Sequence, residues 1–333
     1  MKIAVIGAGA IGSVVAGYLS KAGEEVLLVG RPNQVQKIQR DGLKIKGVRG
    51  DETIFLKSAT GLDAEYDLVI FTVKTQDIED AFSENHFHLG GTSLILTTQN
   101  GVQADNLLSI HFEPDQLMSS IVMFGSTYTE LGEVVFNFEG DWILGRPFIR
   151  NDKRLHEISE ILKKAFNVVI SDDILGMKYL KLFVNFNNCL PALIGKSMQE
   201  TFADMDFCRL SVLLLKEGVE IVQKANINMV SLPQFPVERI LGLSAMPVEQ
   251  AAGIMNKTLT NLSKEPLYGS ILQSIMRNKA SEIDYINGEV VFLAKNTGTS
   301  APLNRKVVDL VHQVELEKKF FKAEEVKKEF ELK

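Results

Sequence analysis

The sequence is poor in the residues that build disulfide-bonded, zinc-binding and nucleic-acid-binding proteins. Among 333 residues there are only 2 cysteines, Cys189 and Cys208, and no histidine is spaced from them as a zinc ligand would be. Positive charge is not in excess either, because 36 lysines and arginines face 42 aspartates and glutamates, giving a net charge of −6. We therefore expect a reducing compartment, no metal and no nucleic-acid partner.

The sequence also has little that would suit a membrane. Residues 3–20 are uncharged over a length at which a membrane span becomes a candidate, but four glycines lie within this stretch. The start of the chain shows no usual targeting segment. What remains is ordinary globular composition, 45% hydrophobic and 23% charged, in a chain long enough for two domains.

The glycines near the N-terminus have the G-x-G-x-x-G spacing of a dinucleotide-binding turn. A short β-branched run at residues 2–6 precedes them, and a helical pattern follows. The first glycine permits a tight turn, the second lets the backbone approach a pyrophosphate, and the third lets the helix pack closely on the strand. This context predicts a Rossmann site whose cofactor contacts come from Gly7, Ala8, Gly9, Ala10, Ile11 and Gly12. The alternative is a glycine-rich turn in another α/β unit.

The end of the second predicted strand, at residues 25–29, indicates which dinucleotide is bound. NAD sites usually place an acid there for the ribose hydroxyls, whereas Arg31 follows this strand, and Glu24 and Glu25 lie at its beginning. A guanidinium fork suits the 2′-phosphate of NADPH. We therefore predict NADPH, the alternative being that Arg31 is a solvated residue opening the next helix.

Two further buried strands end in polar residues. Residues 67–73 run into Lys74, and residues 92–97 are followed by Asn100. Because open α/β sheets bind ligands outside the carboxyl ends of their strands, Lys74 and Asn100 are candidate cofactor contacts. Taken alone, each also fits an exposed strand-end lysine or a turn asparagine.

The strand pattern stops near residue 170 and gives way to helices. Residues 43–56 predict a hairpin insertion, and residues 139–141 predict a turn joining strands 133–138 and 142–144 within the same sheet. Almost everything from 175 to 314 has helical periodicity, so the second domain should be all α. We predict an α/β Rossmann domain over residues 1–172, an all-α substrate domain over residues 173–333, and an active site in the interdomain cleft.

Polar residues recur among apolar neighbours in the helical half. Lys181, Asn185 and Cys189 are four residues apart, which would place them on one face of a helix. A second, long helix is predicted from Ser270 to residue 288, and it carries Glu282 in apolar surroundings.

Together these motifs resemble the ketopantoate reductase family over nearly the whole chain. The resemblance rests on the glycine turn, Arg31, Val73-Lys74, Gln99-Asn100-Gly101, Lys181-Leu-x-x-Asn185, Ser270-x-Leu-Gln273 and Glu282-Ile-Asp284-Tyr-Ile-Asn287-Gly288. It implies NADPH-dependent reduction of 2-dehydropantoate to pantoate in the cytoplasm, on the route to pantothenate and coenzyme A.

Carried over by position, the resemblance also implies site roles. Lys181 would be the general acid, Glu282 its orienting carboxylate, and Asn100, Lys181, Asn185 and Ser270 would contact the substrate. The chemistry suits these residue types, because hydride transfer to a ketone leaves charge on oxygen that an ammonium can stabilise and protonate. The alternative is that Lys181 and Glu282 form a buried ion pair that serves packing only.

The chain departs from the family pattern at two positions. Family members commonly have asparagine where Cys189 stands and an acid where Ser274 stands. Reduction of another branched 2-oxo acid is therefore an alternative function, and a non-catalytic NADPH-binding sensor is a second one.

The chain ends in a charged segment, residues 315–333, that mixes Glu and Lys at helical spacing. This pattern predicts a solvated terminal helix. The alternative is that the segment docks on a partner chain, as in a homodimer.

Overall fold

The computed structural model describes residues 1–332 and divides the chain into two compact units, Met1–Leu175 and Gly176–Lys333. The sequence placed the boundary after residue 172, and the division falls within the first turn of a helix that begins at Ile174. The first unit is α/β and the second is helical, so the predicted fold class is confirmed.

The first unit alternates strands and helices from its first residues. Its elements in chain order are β1 Lys2–Ile6, α1 Ala10–Lys21, β2 Glu25–Val29, α2 Pro32–Asp41, β3 Leu43–Gly47, β4 Glu52–Ile54, β5 Lys57–Ala59, β6 Leu68–Phe71, α3 Ile78–Asn85, β7 Leu94–Thr97, α4 Gln103–Leu108, β8 Leu117–Val122, β9 Gly125–Glu130, β10 Glu133–Phe138, β11 Trp142–Gly145, α5 Lys153–Leu162 and β12 Val168–Ile170.

The main sheet has eight strands in the order β12-β11-β8-β7-β6-β1-β2-β5. The six strands from β8 to β5 are parallel and have the order of a doubly wound dinucleotide-binding sheet. Alternate residues of β1 enter two separate cores, with Ile3 and Val5 in one and Ala4 and Ile6 in the other. Both faces of β1 are therefore covered, which explains its uninterrupted apolar sequence.

A second sheet, in the order β4-β3-β10-β9, packs beside α1. The predicted hairpin insertion is confirmed, because β3 and β4 pair antiparallel. Two other predictions are wrong. Strand β10 lies in this sheet, where it pairs with β3 and β9, so residues 139–141 do not form a hairpin turn between β10 and β11. Strand β11 pairs instead with β8 and β12.

The second unit contains helices joined by short loops and 3-10 turns. Its helices are α6 Ile174–Asn185, whose first two residues belong to the first unit, α7 Cys189–Ile194, α8 Met198–Phe202, α9 Met205–Lys224, α10 Glu238–Ala245, α11 Val248–Thr260, α12 Ser270–Met276, α13 Asn287–Asn296, α14 Pro302–Glu317 and α15 Ala323–Glu329. The long helix α9 packs against α10, α11, α13 and α14. In the described part of the chain, no helix is long and apolar enough to cross a membrane.

Two helices predicted to be continuous are interrupted. Helix α6 ends at Asn185, a 3-10 turn covers Phe186–Asn188, and α7 begins at Cys189, so Cys189 does not continue the face of Lys181. Likewise the region from 270 to 288 is not one helix. It consists of α12, a 3-10 turn at Ile283–Tyr285 and the start of α13.

The C-terminal segment is not a single solvated helix. Helix α14 ends where Lys318 adopts a left-handed conformation, with φ of 53°. After this turn, the N–H of Phe321 donates to the carbonyl of Leu193, and Val326 in α15 is fully buried. The segment therefore docks on the helices of its own unit.

Candidate active site

The glycine turn between β1 and α1 is packed so tightly that two of its positions admit no side chain. Gly7 has φ of +118°, and a Cβ there would lie 2.8 Å from Thr72 Oγ1. A Cβ on Gly12 would lie 1.9 Å from the carbonyl oxygen of Gly7. These two glycines are therefore required by the close packing of helix on strand.

Gly9 differs, because the protein itself does not require a glycine there. It is the N-cap residue of α1, no side chain caps this helix, and a Cβ on Gly9 would meet no atom within 4 Å. The first turn of α1 therefore presents backbone N–H groups at an open surface without side chains in the way. This cradle fits the pyrophosphate of a dinucleotide.

Two side chains that the sequence analysis did not single out support this turn. Thr72 Oγ1 lies 3.0 Å from the carbonyl oxygen of Ile6 and 2.8 Å from that of Gly7. Gln34, buried in α2, donates from Nε2 to the carbonyl of Ala8 at 3.1 Å. The only signal for Gln34 in the sequence would have been a polar residue on the buried face of α2.

Arg31 lies directly after β2, as expected, and it forms the N-cap of α2. Its side chain is exposed and makes no hydrogen bond or ion pair with another residue in 1–332. Glu24, at the other end of β2, is committed to ion pairs with the N-terminal amine and Lys164. The carboxyl end of β2 thus offers a cation and no acid, which fits a 2′-phosphate.

Lys74 and Asn100 follow the neighbouring parallel strands β6 and β7. Gln99 joins the two loops, because its Nε2 donates to the carbonyls of Phe71 and Val73, both at 2.8 Å. The structure therefore brings the segments that carry Lys74 and Asn100 together at the carboxyl edge of the sheet, and both side chains are half-buried there.

In the second unit, Lys181 lies in the third turn of α6 and is half-buried. Desolvation lowers the pKa of its amine to about 8. At neutral pH the amine is still mostly protonated, yet it gives up its proton far more easily than an ordinary lysine. This is the property required of a general acid at neutral pH.

The other predicted residues of this unit lie on three segments. Asn185 ends α6, one turn after Lys181, and Ser270 begins α12, which packs against the 3-10 turn that follows α6. The structure thus brings Ser270 to the end of α6. Glu282 is partly buried and precedes the 3-10 turn that leads into α13.

The segment that carries Glu282 is anchored on both sides by residues that the sequence analysis did not assign. On one side, Glu315 accepts a hydrogen bond from the N–H of Ser281 at 2.7 Å, and His312 Nε2 lies 3.0 Å from Asp284 Oδ1. The carboxylates of Asp284 and Glu315 raise the pKa of His312 above its ordinary value, against the opposing effect of desolvation.

On the other side, the fully buried Asn287 donates to Asn304 Oδ1 at 3.0 Å. Asn304 in turn donates to Glu217 at 2.8 Å, which ties the start of α13 to α9 and α14. The motif from 282 to 288 is therefore partly structural, a function that its sequence alone did not disclose.

Cys189 faces the core and not a ligand site. It is fully buried, its thiol donates to the carbonyl of Phe186 at 3.0 Å, and desolvation raises the thiol pKa to about 12. Because only a thiolate is an effective nucleophile or ligand, Cys189 is a chemically inert core residue. Among residues 1–332, no group of three or more His, Cys, Asp or Glu side chains is arranged to hold a metal ion.

Comparison with known proteins supports one family along most of the chain. Residues 3–147 match the family described as ketopantoate reductase PanE/ApbA, and residues 173–315 match its C-terminal region. A 2-dehydropantoate 2-reductase from Pyrococcus horikoshii is 29% identical over 308 residues, covering 91% of this chain and 94% of that protein. One from Aquifex aeolicus is 26% identical, covering 95% and 97%.

Solved structures agree with the fold. A PanE/ApbA family ketopantoate reductase from Ralstonia eutropha superposes with a TM-score of 0.81 at 25% identity, covering 95% of this chain and 99% of that chain. A D-mandelate dehydrogenase solved with NADH and anilino(oxo)acetate gives a TM-score of 0.81 at 21% identity, with the same coverage. Since both halves of the chain match the family in order, this protein belongs to the ketopantoate reductase family of oxidoreductases.

Proposed function

We propose that this protein catalyses the NADPH-dependent reduction of 2-dehydropantoate to pantoate, a step towards pantothenate and coenzyme A. The observation that carries the proposal is Lys181, an amine whose pKa is lowered to about 8 by desolvation and which stands where the family motif has its general acid. Relatives named for this reaction match over more than nine-tenths of both chains.

The first unit has the groups that would bind the cofactor. The backbone of Gly7, Ala8, Gly9, Ala10, Ile11 and Gly12 would surround the pyrophosphate. Arg31 would bind the 2′-phosphate, because it is an exposed guanidinium that has no partner among residues 1–332. Lys74 and Asn100 would contact the cofactor from the carboxyl edge of the sheet, and Asn100 would also contact the substrate.

The second unit has the groups that would act on the substrate. When bound, the nicotinamide supplies a hydride to the carbonyl carbon. The ammonium of Lys181 stabilises the charge that develops on the carbonyl oxygen and then gives it a proton, which yields the 2-hydroxy acid. Glu282 orients the Lys181 amine, and Asn185 and Ser270 bind the polar groups of the substrate.

A second candidate is the same reaction on another branched 2-oxo acid. It is motivated by Cys189, which offers no polar group to a ligand, and by Ser274, whose hydroxyl donates to the carbonyl of Ser270 at 3.0 Å. A non-catalytic NADPH-binding sensor is a third candidate, and the lowered pKa of Lys181 argues against it, since a sensor has no need of an acidic lysine.

The test is a panel of substrates in which turnover is measured as the loss of absorbance of the reduced cofactor. The panel contains 2-dehydropantoate, 3-methyl-2-oxobutanoate and phenylglyoxylate, each assayed with NADPH and with NADH. We expect the highest kcat/KM for 2-dehydropantoate with NADPH. Turnover of another acid with none of 2-dehydropantoate would establish the second candidate, and NADPH binding without turnover of any acid would establish the sensor.

A further inference from the structure

The three residues around the end of the 3-10 turn after α6 direct their side chains to different places. Asn187 accepts a hydrogen bond from the hydroxyl of Ser211 at 2.6 Å, and Cys189 is buried in the core. Asn188, between them, is half-buried, and its side-chain amide makes no hydrogen bond with another residue in 1–332. A confined amide that the protein leaves unpaired is suited to bind a ligand.

Asn188 lies flat against Gly269, the residue immediately before Ser270. A Cβ on Gly269 would lie 2.4 Å from Asn188 Oδ1, 2.8 Å from its Cγ and 3.1 Å from its Cβ. The backbone of Gly269, with φ of −67° and ψ of 161°, is one that any residue adopts. The glycine is therefore needed to make room for the Asn188 side chain, and not for the turn.

Regular helix geometry also places Asn188, in the 3-10 turn after α6, on the same side of the chain as Lys181. From Lys181 to Asn188 there are four steps of α-helix and three of 3-10 helix. Around the helix axis, the direction of the Asn188 side chain is therefore within about 40° of that of Lys181. Cys189, one residue further, points away into the core. The interruption of α6 thus keeps Asn188, and not Cys189, in line with Lys181 and beside Ser270.

We propose that Asn188 is a specificity-determining residue that binds the hydroxyl group of a hydroxylated 2-oxo acid, with Gly269 holding its amide in place. This inference rests on the proposed function. At neutral pH the carboxylate and the ketone of such a substrate only accept hydrogen bonds, whereas its hydroxyl both donates and accepts. An asparagine amide also both donates and accepts, so the hydroxyl is the substrate group that can form both kinds of hydrogen bond with it.

The test compares two substrates that differ only in this group, 2-dehydropantoate and 3,3-dimethyl-2-oxobutanoate, which lacks the hydroxyl. The wild type should prefer the hydroxylated acid. We expect Asn188→Ala to reduce the ratio of the two kcat/KM values at least tenfold, with the loss falling mainly on 2-dehydropantoate. Gly269→Ala should reduce the ratio similarly, because its methyl group displaces the Asn188 side chain, and the double variant should lose little more.

Gly253→Ala is the matched control, because a Cβ at this position in α11 meets no atom within 4 Å, so its ratio should equal that of the wild type. Turnover of 3,3-dimethyl-2-oxobutanoate reports in every variant that the protein is folded. An equal loss on both substrates, an unchanged ratio, or a wild type without preference would each overturn the role of Asn188 while leaving the reductase intact. A wild type inactive on 2-dehydropantoate would overturn the proposed function and this inference with it.

Discussion

Two cations, one in each unit, are held in opposite ways. Arg31 is exposed and makes no ion pair with another described residue, so its permanent charge is available to a bound anion. Lys181 is desolvated, and the pKa of its amine is lowered to about 8, so its charge is easily given up. The first arrangement suits binding of a phosphate, and the second suits proton transfer.

Replacing Arg31 with alanine should weaken the binding of NADPH much more than that of NADH. Loss of a charge-assisted contact with the 2′-phosphate corresponds to about 1.5–3 kcal/mol of binding free energy. The measurement is a titration of the protein with each cofactor, in which binding is detected by fluorescence or calorimetry. Arg150→Ala is the control, because Arg150 is likewise exposed but lies far along the chain from the glycine turn. Equal weakening of both cofactors would remove Arg31 from the 2′-phosphate.

The pH dependence of the reaction should follow the lowered pKa of Lys181. A general acid acts in its protonated form, so kcat/KM should be constant below pH 8 and fall as the pH rises through about 8. Lys181→Ala should lower kcat about 100-fold or more, with a smaller change in KM, and its remaining activity should lack this fall. A variant that changes KM alone would make Lys181 a binding residue.

At the scale of the element, the structural features that depend on neighbouring residues could be predicted from the sequence. The glycine turn between β1 and α1 and the position of Arg31 directly after β2 depend on neighbouring residues, and both elements lie where the sequence predicted them. The partner of β10 depends on residues almost ninety positions away, since β10 pairs with β3, and its alternating pattern carries no information about that partner.

The interruption of α6 was missed for a different reason. Apolar residues continue at helical spacing across the 3-10 turn, so periodicity alone does not reveal the break. Pro191 was the available signal, because proline is tolerated in the first turn of a helix and α7 begins two residues before it. This is why Cys189 was predicted to continue the face of Lys181, whereas Asn188 was identified only from its contact with Gly269.

The glycine turn contains a glycine that packing requires, Gly12, and one that packing does not require, Gly9, so the effects on folding and on cofactor binding can be measured separately. Gly9→Ala should change the free energy of unfolding by about 1 kcal/mol or less, because the added methyl group meets no atom, but it should weaken NADPH at least tenfold. Gly12→Ala should destabilise by about 3 kcal/mol or more, because its methyl group would overlap the carbonyl of Gly7. Urea unfolding and cofactor titration measure the two effects. Unweakened binding by a folded Gly9→Ala variant would contradict a phosphate site at this turn.

At the scale of the whole molecule, the two units carry different natural reporters. Trp142, the one tryptophan of the chain, is fully buried in the first unit. Both cysteines, Cys189 and Cys208, are buried in the second unit. Tryptophan fluorescence therefore reports the unfolding of the first unit, and thiol labelling reports the opening of the second, in the same intact chain.

NADPH should raise the urea midpoint of the Trp142 transition, because a ligand that binds only the folded state stabilises it by mass action. At one hundred times its dissociation constant the gain is about 2.7 kcal/mol. NADH at the same concentration should give a smaller shift, since it lacks the phosphate that Arg31 would bind. Labelling of Cys189 and Cys208 is measured in parallel as a record of the second unit. If NADPH slowed thiol labelling without moving the Trp142 transition, the nucleotide would bind in the second unit, and the assignment of the glycine turn as its site would be wrong.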